Sequence, residues 1–265
     1  MAHSWSRLFA NSGFRWQMGL SAGDVDSFFA LTENSAEILA ERRRCLDQSP
    51  ADYVALLDPG RPLVHEMLEI PSIAGVLGPA RDQSLESAAR NLEPDFVLLL
   101  PTVKGPMVVG GVVCFPSSWS LPEKIGRTLH ETHAPVPELN AQLGRRIEAA
   151  LDRLPSAAAW QRDNWGLSRG GDRNHHPHKA RPRLDETIEP NELWLRVERQ
   201  LLYRLPRSGG ILFGIRLEIT PWHTLIQSEE AVVGLRRSLE TMPDDIAAYK
   251  GLLSARRKIL GWLSH

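Results

Sequence analysis

The sequence has few cysteines, no excess of charge of one sign and no uninterrupted apolar run. Only Cys45 and Cys114 occur among 265 residues, which excludes a disulfide framework and a tetrahedral zinc site built from thiolates. Basic residues number 31 against 32 acidic ones, so overall charge indicates neither a nucleic-acid binder nor an acidic disordered chain. The longest apolar stretch, residues 96–115, is interrupted by Pro101, Lys104 and Pro106 and cannot span a bilayer.

Several short functional motifs are missing as well. The chain has no phosphate-binding Gly-Lys-Ser/Thr loop, no Gly-x-Gly-x-x-Gly, no nucleophile elbow and no His-Glu-x-x-His. Its first residues lack the charged and then apolar pattern of a signal peptide. These absences predict a soluble, cytoplasmic globular protein with no partner among nucleic acids or membranes.

The patterns that are present predict an α+β fold in a single domain over residues 1–265. Residues 1–93 are expected to form a mostly helical N-terminal wrap, with an irregular arm to about residue 20. Residues 94–220 are expected to form the sheet core and residues 221–265 the C-terminal helices. Apolar spacing predicts helices over residues 24–47, 51–58, 62–69, 84–91, 121–133, 138–154, 192–205, 229–240 and 244–263.

Four segments have the pattern of strands in a small antiparallel sheet. They are residues 95–102, 107–115, 161–168 and 210–220, and Lys104-Gly105-Pro106 joins the first two as a hairpin. Because the hairpin strands are almost continuously apolar, we expect both of their faces to be covered.

Residues 169–183 lack apolar periodicity and predict a long exposed loop, a kind of segment that often carries function. The loop contains His175, His176 and His178. A flexible histidine tract without nearby carboxylates makes a poor metal site, so a solvated loop is the simpler interpretation.

His130 and His133 are three residues apart and can share one face of the last turns of the helix predicted over 121–133. Both can be surface histidines at a helix C-terminus, where positive charge is favoured. His133 differs because Pro135 and Pro137 fix the exit of the chain, and an axial metal ligand needs such a rigid position. The residues alone leave both interpretations open.

An ordered series of segments resembles one known protein family. The series comprises Cys114-Phe-Pro-Ser-Ser-Trp119, Leu121-Pro-Glu-Lys-Ile-Gly126, His133-Ala-Pro-Val-Pro137, Arg162-Asp-Asn-Trp165, and the segments 196–208 and 210–217. In this order and over most of the chain, they resemble the haem-dependent oxidative N-demethylases, the haem subunit of dimethylamine monooxygenase. The resemblance implies a PAS-like fold in which a small antiparallel sheet, wrapped by helices, encloses a pocket for one b-type haem.

The resemblance also implies a haem-dependent oxidoreductase of the oxidative N-demethylase or monooxygenase type. The family oxidises a methyl–nitrogen bond of a small secondary amine, with electrons from an external flavin and iron–sulfur reductase. A non-catalytic haem-binding sensor or interaction protein of PAS type is the main alternative, and a haem-free relative is a third.

Within that family pattern, His133 is the predicted axial ligand of the haem iron. Arginine suits the haem propionates because its planar fork binds carboxylates, and the candidates near the predicted sheet are Arg199, Arg204 and Arg216. Each can equally be a solvated surface charge. The apolar slot is predicted to be lined by Phe115, Trp119, Trp165 and Phe213, and Glu198 is the acid considered for the amine.

Overall fold

A seven-stranded antiparallel sheet forms the centre of the computed structural model, which describes residues 5–9 and 13–264. The order across the sheet is β1-β5-β6-β7-β3-β4-β2, so the two shortest strands form the open edges. The strands are β1 (Ser21–Ala22), β2 (Val54–Leu56), β3 (Asp95–Leu100), β4 (Met107–Val112), β5 (Ala159–Arg169), β6 (Leu193–Arg204) and β7 (Ile211–Pro221). The α+β class and the antiparallel sheet are confirmed, and β1 and β2 extend the sheet into the region predicted to be helical.

Thirteen α-helices occur in the described ranges. They are α1 (Trp5–Leu8), α2 (Val25–Phe29), α3 (Ser35–Gln48), α4 (Pro50–Tyr53), α5 (Arg61–Leu68), α6 (Pro71–Leu77), α7 (Leu85–Asn91), α8 (Leu129–His133), α9 (Leu139–Arg153), α10 (Trp222–Leu225), α11 (Glu229–Thr241), α12 (Asp244–Tyr249) and α13 (Arg256–Trp262). Short 3-10 turns lie at Asp58–Gly60, Ala80–Asp82 and Pro190–Glu192. None of these helices has the length and apolar character needed to cross a bilayer.

The predicted hairpin is confirmed as β3 and β4, which pair in antiparallel register with a shift between Leu98 and Leu99. Gly111 of β4 has φ +152°, and a Cβ there would collide with the carbonyl oxygen of Phe96. Glycine is therefore needed for the two backbones to approach this closely. The strands predicted over 161–168 and 210–220 are also confirmed as β5 and β7.

Residues 192–205 are predicted to form a helix, but they form the strand β6, and this is the largest difference between the prediction and the structure. This strand pairs along its whole length with both β5 and β7. Its apolar residues Leu193, Leu195 and Val197 alternate with Arg196 and Glu198, which is the period of a strand with two different faces. The ladders to both neighbours override the helical spacing that these leucines also satisfy.

Four predicted helices are shorter or broken. Residues 121–128 form turns, because Gly126 has φ +77° and Thr128 caps a new helix, α8, through its reciprocal hydrogen bonds with Glu131. The helix expected over 24–47 divides into α2 and α3, and the one over 51–58 ends at Tyr53 before β2. The helix expected over 244–263 breaks at Gly251, where φ is +69°, and divides into α12 and α13.

The two faces of the sheet pack against different parts of the chain. Phe96 and Leu98 of β3 lie in a core with α2–α7, and the C-terminal helices pack on Leu195 and Val197 of β6. Val97 of β3 points to the opposite face, where α9 and residues 117–139 lie. This opposite face carries a large cavity.

Candidate functional site

A cavity of about 1240 Å³ lies over the β3–β7–β6–β5 face of the sheet. This volume is above the range of about 300–1,000 Å³ that is typical of small-molecule and cofactor pockets. Its floor includes Val97, Leu99, Leu202, Phe213 and Ile215, and its cover includes Trp119, Leu121, Leu129, Ile147 and Leu151. The cavity therefore has a broad apolar middle that can take a flat hydrophobic group.

Helix α8 brings His133 to the wall of this cavity. The capping box of Thr128 and Glu131 fixes the start of α8, and Asn140 Nδ2 donates to the His130 carbonyl, which ties α8 to α9. Burial, helped by the positive charges of Arg162 and Lys124, lowers the pKa of His133 to about 4. His133 is therefore neutral near pH 7, and a ring nitrogen can offer its lone pair to a metal. His130 is exposed.

The charged part of the cavity wall is strongly basic. Eight basic side chains and two acidic ones line the cavity. The acidic residues are Glu123 and Glu198, and the basic ones are Lys124, Arg162, Arg169, Lys179, Arg181, Arg183, Arg196 and Lys250. The Nε atoms of Arg162 and Arg196 are buried and have no hydrogen-bond partner among the described residues. Arg196 also donates from Nη1 to the Asp172 carbonyl and from Nη2 to the Arg173 carbonyl, but neither arginine forms an ion pair with a carboxylate of the described residues. Buried charges in folded proteins are paired as a rule, so the positive charge and the unsatisfied Nε atoms on the cavity wall favour a site for an anion.

The loop at one side of the cavity is exposed over residues 177–183, as predicted, but Asn174, His175 and His176 are buried, contrary to the prediction. The His175 amide donates to the Pro116 carbonyl, and the Ser118 amide donates to the His175 carbonyl. Residues 117 and 175 thus join the loop to the chain that follows β4, and the loop becomes part of the cavity wall.

His175 lies between two guanidinium groups at this wall. Arg181 Nη1 is 3.1 Å from His175 Nδ1, and Arg196 Nη1 is 3.3 Å from His175 Nε2. Burial and these two positive charges lower the pKa of His175 to about 3. A neutral imidazole can accept from only one of them, so the cluster has unused donor capacity toward an anionic ligand.

Lys250 occupies another corner of the cavity. Its ammonium lies 5.7 Å from the centre of the Trp16 ring and 5.3 Å from that of Trp165, and donates to the Trp165 carbonyl at 2.7 Å. Burial lowers its pKa to about 8, although the nearby Glu198 carboxylate opposes the shift. The two tryptophan rings thus stabilise the Lys250 ammonium by cation–π interactions.

The structure brings four of the predicted haem contacts to the cavity: His133, Trp119, Trp165 and Phe213. Phe115 instead packs in the core on the other face of the sheet, because β4 ends at Val112 and the Asp95 carboxylate accepts the Cys114 and Phe115 amides. It does not line the cavity.

The three predicted propionate partners also lie away from the cavity. Arg199 forms an ion pair with Glu218, and Arg216 with Glu93, both on the opposite face of the sheet. Arg204 donates to the carbonyls of Leu151 and Leu154 at the end of α9 and to that of Gly209 in the turn between β6 and β7. Each of these arginines is already bonded within the fold.

The sequence interpretation missed the arginines that do line the cavity. Arg162 enters the sequence analysis only as part of a motif, and Arg196 begins the motif segment 196–208 inside the helix predicted over 192–205. Residues 196, 198 and 200 of β6 all reach the cavity, so the alternation of charged and apolar residues in 193–198 was the signal that could have found them. Nothing in the loop sequence pointed to the burial of His175.

A comparison with known protein families matches residues 73–260 to the family described as "Haem-dependent oxidative N-demethylase, alpha subunit-like". The match spans about seven tenths of the chain and includes α8, β5, β6, β7 and most of the cavity wall. The resemblance predicted from the ordered motifs is thereby confirmed.

Proposed function

The chain belongs to the haem-dependent oxidative N-demethylase alpha subunit-like family, and from this premise we propose that it binds one b-type haem and oxidises a small methylated amine. Membership indicates a haem oxidoreductase of this general type. The haem type, its ligand, the amine and the electron donor belong to the proposal, as does the PAS-like character of the fold.

The residues of the cavity fit a haem in shape and polarity. The apolar middle, with Trp119 and Phe213, suits the faces of a porphyrin, and the volume of about 1240 Å³ leaves space beside it. His133 is the residue proposed to hold the haem iron because it lines the cavity on a helix end fixed at both sides and is neutral above about pH 4. A hydrogen-bond acceptor at its other ring nitrogen would set the tautomer.

Arg162 and Arg196 replace Arg199, Arg204 and Arg216 as the proposed partners of the propionates. Both line the cavity and have a buried Nε without a partner among the described residues. Their pKa values are lowered by burial, that of Arg196 to about 10, so both stay charged near pH 7. A carboxylate placed between them gains charge-assisted hydrogen bonds.

The positive charge of the cavity lining also affects how the substrate binds. Eight cationic side chains against two glutamates repel an alkylammonium ion from the cavity on its own. Two propionates offset part of this positive charge, so binding of the cofactor is expected to precede binding of the amine. The haem, when bound, supplies the oxidising chemistry.

The chain's own contribution is to hold the amine and manage its proton. Trp16, Trp165 and Glu198 form the corner that attracts cations. Lys250 Nζ, with its pKa lowered to about 8, is mainly charged at pH 7 and is uncharged in a minor fraction. This uncharged fraction, which grows as the pH rises toward 8, is proposed to take the proton that an alkylammonium must release before its nitrogen lone pair is available. The apolar walls keep bulk water away from the amine. The sequence lacks a nicotinamide-binding fingerprint, which supports an external reductase as the electron source.

The observation that carries this proposal is a neutral cavity histidine beside two buried arginines that form no ion pair among the described residues and whose Nε atoms lack a hydrogen-bond partner there, in a chain of this family. The test titrates full-length, haem-supplied protein with dimethylamine and with isopropanol, an uncharged molecule of similar size. Dimethylamine should shift the Soret band and, with oxygen and a chemical reductant, yield formaldehyde, and isopropanol should do neither. If haem is bound and reducible yet no methylated amine shifts its spectrum or is demethylated, the sensor interpretation replaces the enzyme.

A further inference from the structure

Outside the cavity, the fold brings a carboxylate to the histidine tract of residues 175–178. Asp52 of α4 lies beside His176 and His178, although 124 residues separate it from His176 in the sequence. One possible ligand atom from each of the three residues lies within 4.8 Å of the others, and Asp52 Oδ1 is 3.8 Å from His178 Nδ1. The sequence interpretation set this tract aside for want of a carboxylate, and the fold supplies one.

We propose that Asp52, His176 and His178 bind one divalent transition-metal ion, with Zn²⁺ as the representative ion. Two imidazoles and one carboxylate are ligands that zinc, copper and nickel accept, whereas Mg²⁺ and Ca²⁺ prefer oxygen ligands. Three protein ligands leave a fourth tetrahedral position for water.

The buried histidine gives an independent indication of a ligand. His176 is only 1% exposed, and its Nε2 has no hydrogen-bond partner among the described residues. The backbone N–H of His178 points at His176 Nδ1 from 3.3 Å, which is longer than a usual N–H contact and holds the ring tautomer only weakly. A metal ion would engage the ring nitrogen that the fold leaves unsatisfied.

The neighbours of the three residues suit a metal site. The Ser49 hydroxyl donates to Asp52 Oδ2 at 2.8 Å and leaves Oδ1 directed at His178. The Tyr53 ring packs edge-on against His176 at 5.3 Å between centroids, and the Asn174 side chain accepts from the His176 amide. Two ligands are thus held by bonds and contacts of the kind that orient metal ligands.

The third ligand can close the site. Ligand atoms around a tetrahedral zinc ion lie about 3.4 Å apart, given bonds of about 2.0–2.2 Å. Here Asp52 Oδ1 and His178 Nδ1 are 3.8 Å apart, and all three ligand atoms lie within 4.8 Å of one another, so the site must contract to bind the ion. The His178 side chain is 71% exposed, and rotation of this ring can supply much of that movement. Binding would join α4 to the loop that also carries His175 and Arg181 of the cavity wall.

The experiment is a calorimetric titration of the haem-loaded, chelator-washed full-length protein with Zn²⁺, and with Mg²⁺ as a control ion. We expect one Zn²⁺ per chain, no Mg²⁺ binding, and at least about tenfold weaker Zn²⁺ binding in Asp52→Asn and in His178→Ala. Both changes alter partly or largely exposed side chains, so the variants should fold. His223→Ala, at an exposed histidine of α10, is the matched control and should bind as the unchanged protein does.

NMR spectra of the histidine rings test the role of His176 without a substitution at this buried residue. Long-range ¹H–¹⁵N spectra of the imidazole rings should show zinc-dependent shifts at His176 and His178 and none at His223. Absence of stoichiometric binding, or binding of equal strength in Asp52→Asn and His178→Ala, would overturn the proposal. It would also be overturned if zinc shifted none of the His176 nitrogens.

Discussion

In the described part of the chain, buried arginines form an ion pair on one face of the sheet and none on the other. On the face covered by the N-terminal helices, Arg42 is fully buried and forms an ion pair with Asp95 at 2.6 Å, and Asp95 also accepts two backbone amides. On the cavity face, Arg162 and Arg196 form no ion pair with a carboxylate of the described residues. Each of the three arginines has one buried nitrogen without a partner there, Nη2 in Arg42 and Nε in the other two, so the ion pair is what distinguishes the two faces. The first face balances its charges within the fold, and the second leaves a positive excess that an anionic ligand can balance.

The largest expected effect comes from breaking the balanced pair. Arg42→Met leaves the Asp95 carboxylate buried without its cation, and removal of one partner of such a pair costs about 3–5 kcal/mol of unfolding free energy. Urea unfolding of the variant measures this loss. Asp95→Asn in the same chain should recover part of it, and a loss below about 1 kcal/mol for Arg42→Met alone would contradict the comparison.

The same substitution on the cavity face should separate stability from cofactor binding. Arg162→Met removes a buried charge that has no carboxylate partner, so the unfolding free energy of the haem-free protein should fall little or even rise. Haem affinity should drop about tenfold or more, since one charge-assisted hydrogen bond is worth about 1.5–3 kcal/mol. Haem transfer to an acceptor protein measures the affinity. A destabilised chain with unchanged haem affinity would assign Arg162 to the fold instead.

The histidines of the cavity wall predict a pH dependence of stability. The folded chain holds the pKa of His133 at about 4 and that of His175 at about 3, whereas an unfolded histidine titrates near 6.5. Between these values the unfolded chain binds more protons, so stability is fully present above about pH 6.5 and is lost as the pH falls toward 4 and 3. Urea unfolding at several pH values should show this slope in the haem-free protein.

The control for this prediction replaces one histidine at a time. His175→Asn should flatten the slope between pH 6.5 and 3, and His223→Ala should leave it unchanged. An unchanged slope in His175→Asn would mean that the ring titrates normally and that the loop is more open than described.

The smallest effect is expected at an arginine that pairs on the face away from the cavity. Arg199→Met breaks a partly exposed ion pair with Glu218, which is worth less than about 1 kcal/mol, and haem affinity should stay within about twofold. Heat denaturation and haem transfer measure the two quantities. If Arg199→Met weakened haem binding as much as Arg162→Met, the assignment of the propionates to the cavity face would fail.

Local sequence patterns were sufficient to predict a helix or a strand where they allowed one interpretation. The hairpin of β3 and β4, the strand β7 and the helix α9 follow from runs whose period or turn residues allow one interpretation. The position of His133 at a helix end also follows from the prolines after it. These features depend on neighbours within a few residues, which a sequence displays directly.

The remaining features depend on contacts between distant segments. Residues 192–205 satisfy both helical and strand spacing, and only the ladders with β5 and β7 decide between them. While this segment was interpreted as a helix, the face on which Arg196 and Arg199 lie could not be predicted. The burial of His175 and His176, and the approach of Asp52 to the tract, likewise arise from tertiary packing alone.

The central claim is that His133 holds a haem in this cavity. The most direct measurement is the visible and paramagnetic resonance spectrum of haem-supplied His133→Ala beside His130→Ala, its exposed neighbour on α8. We expect that His133→Ala loses the histidine-ligated spectrum and regains it when imidazole is added, whereas His130→Ala keeps it throughout. An unchanged spectrum in His133→Ala would contradict the claim.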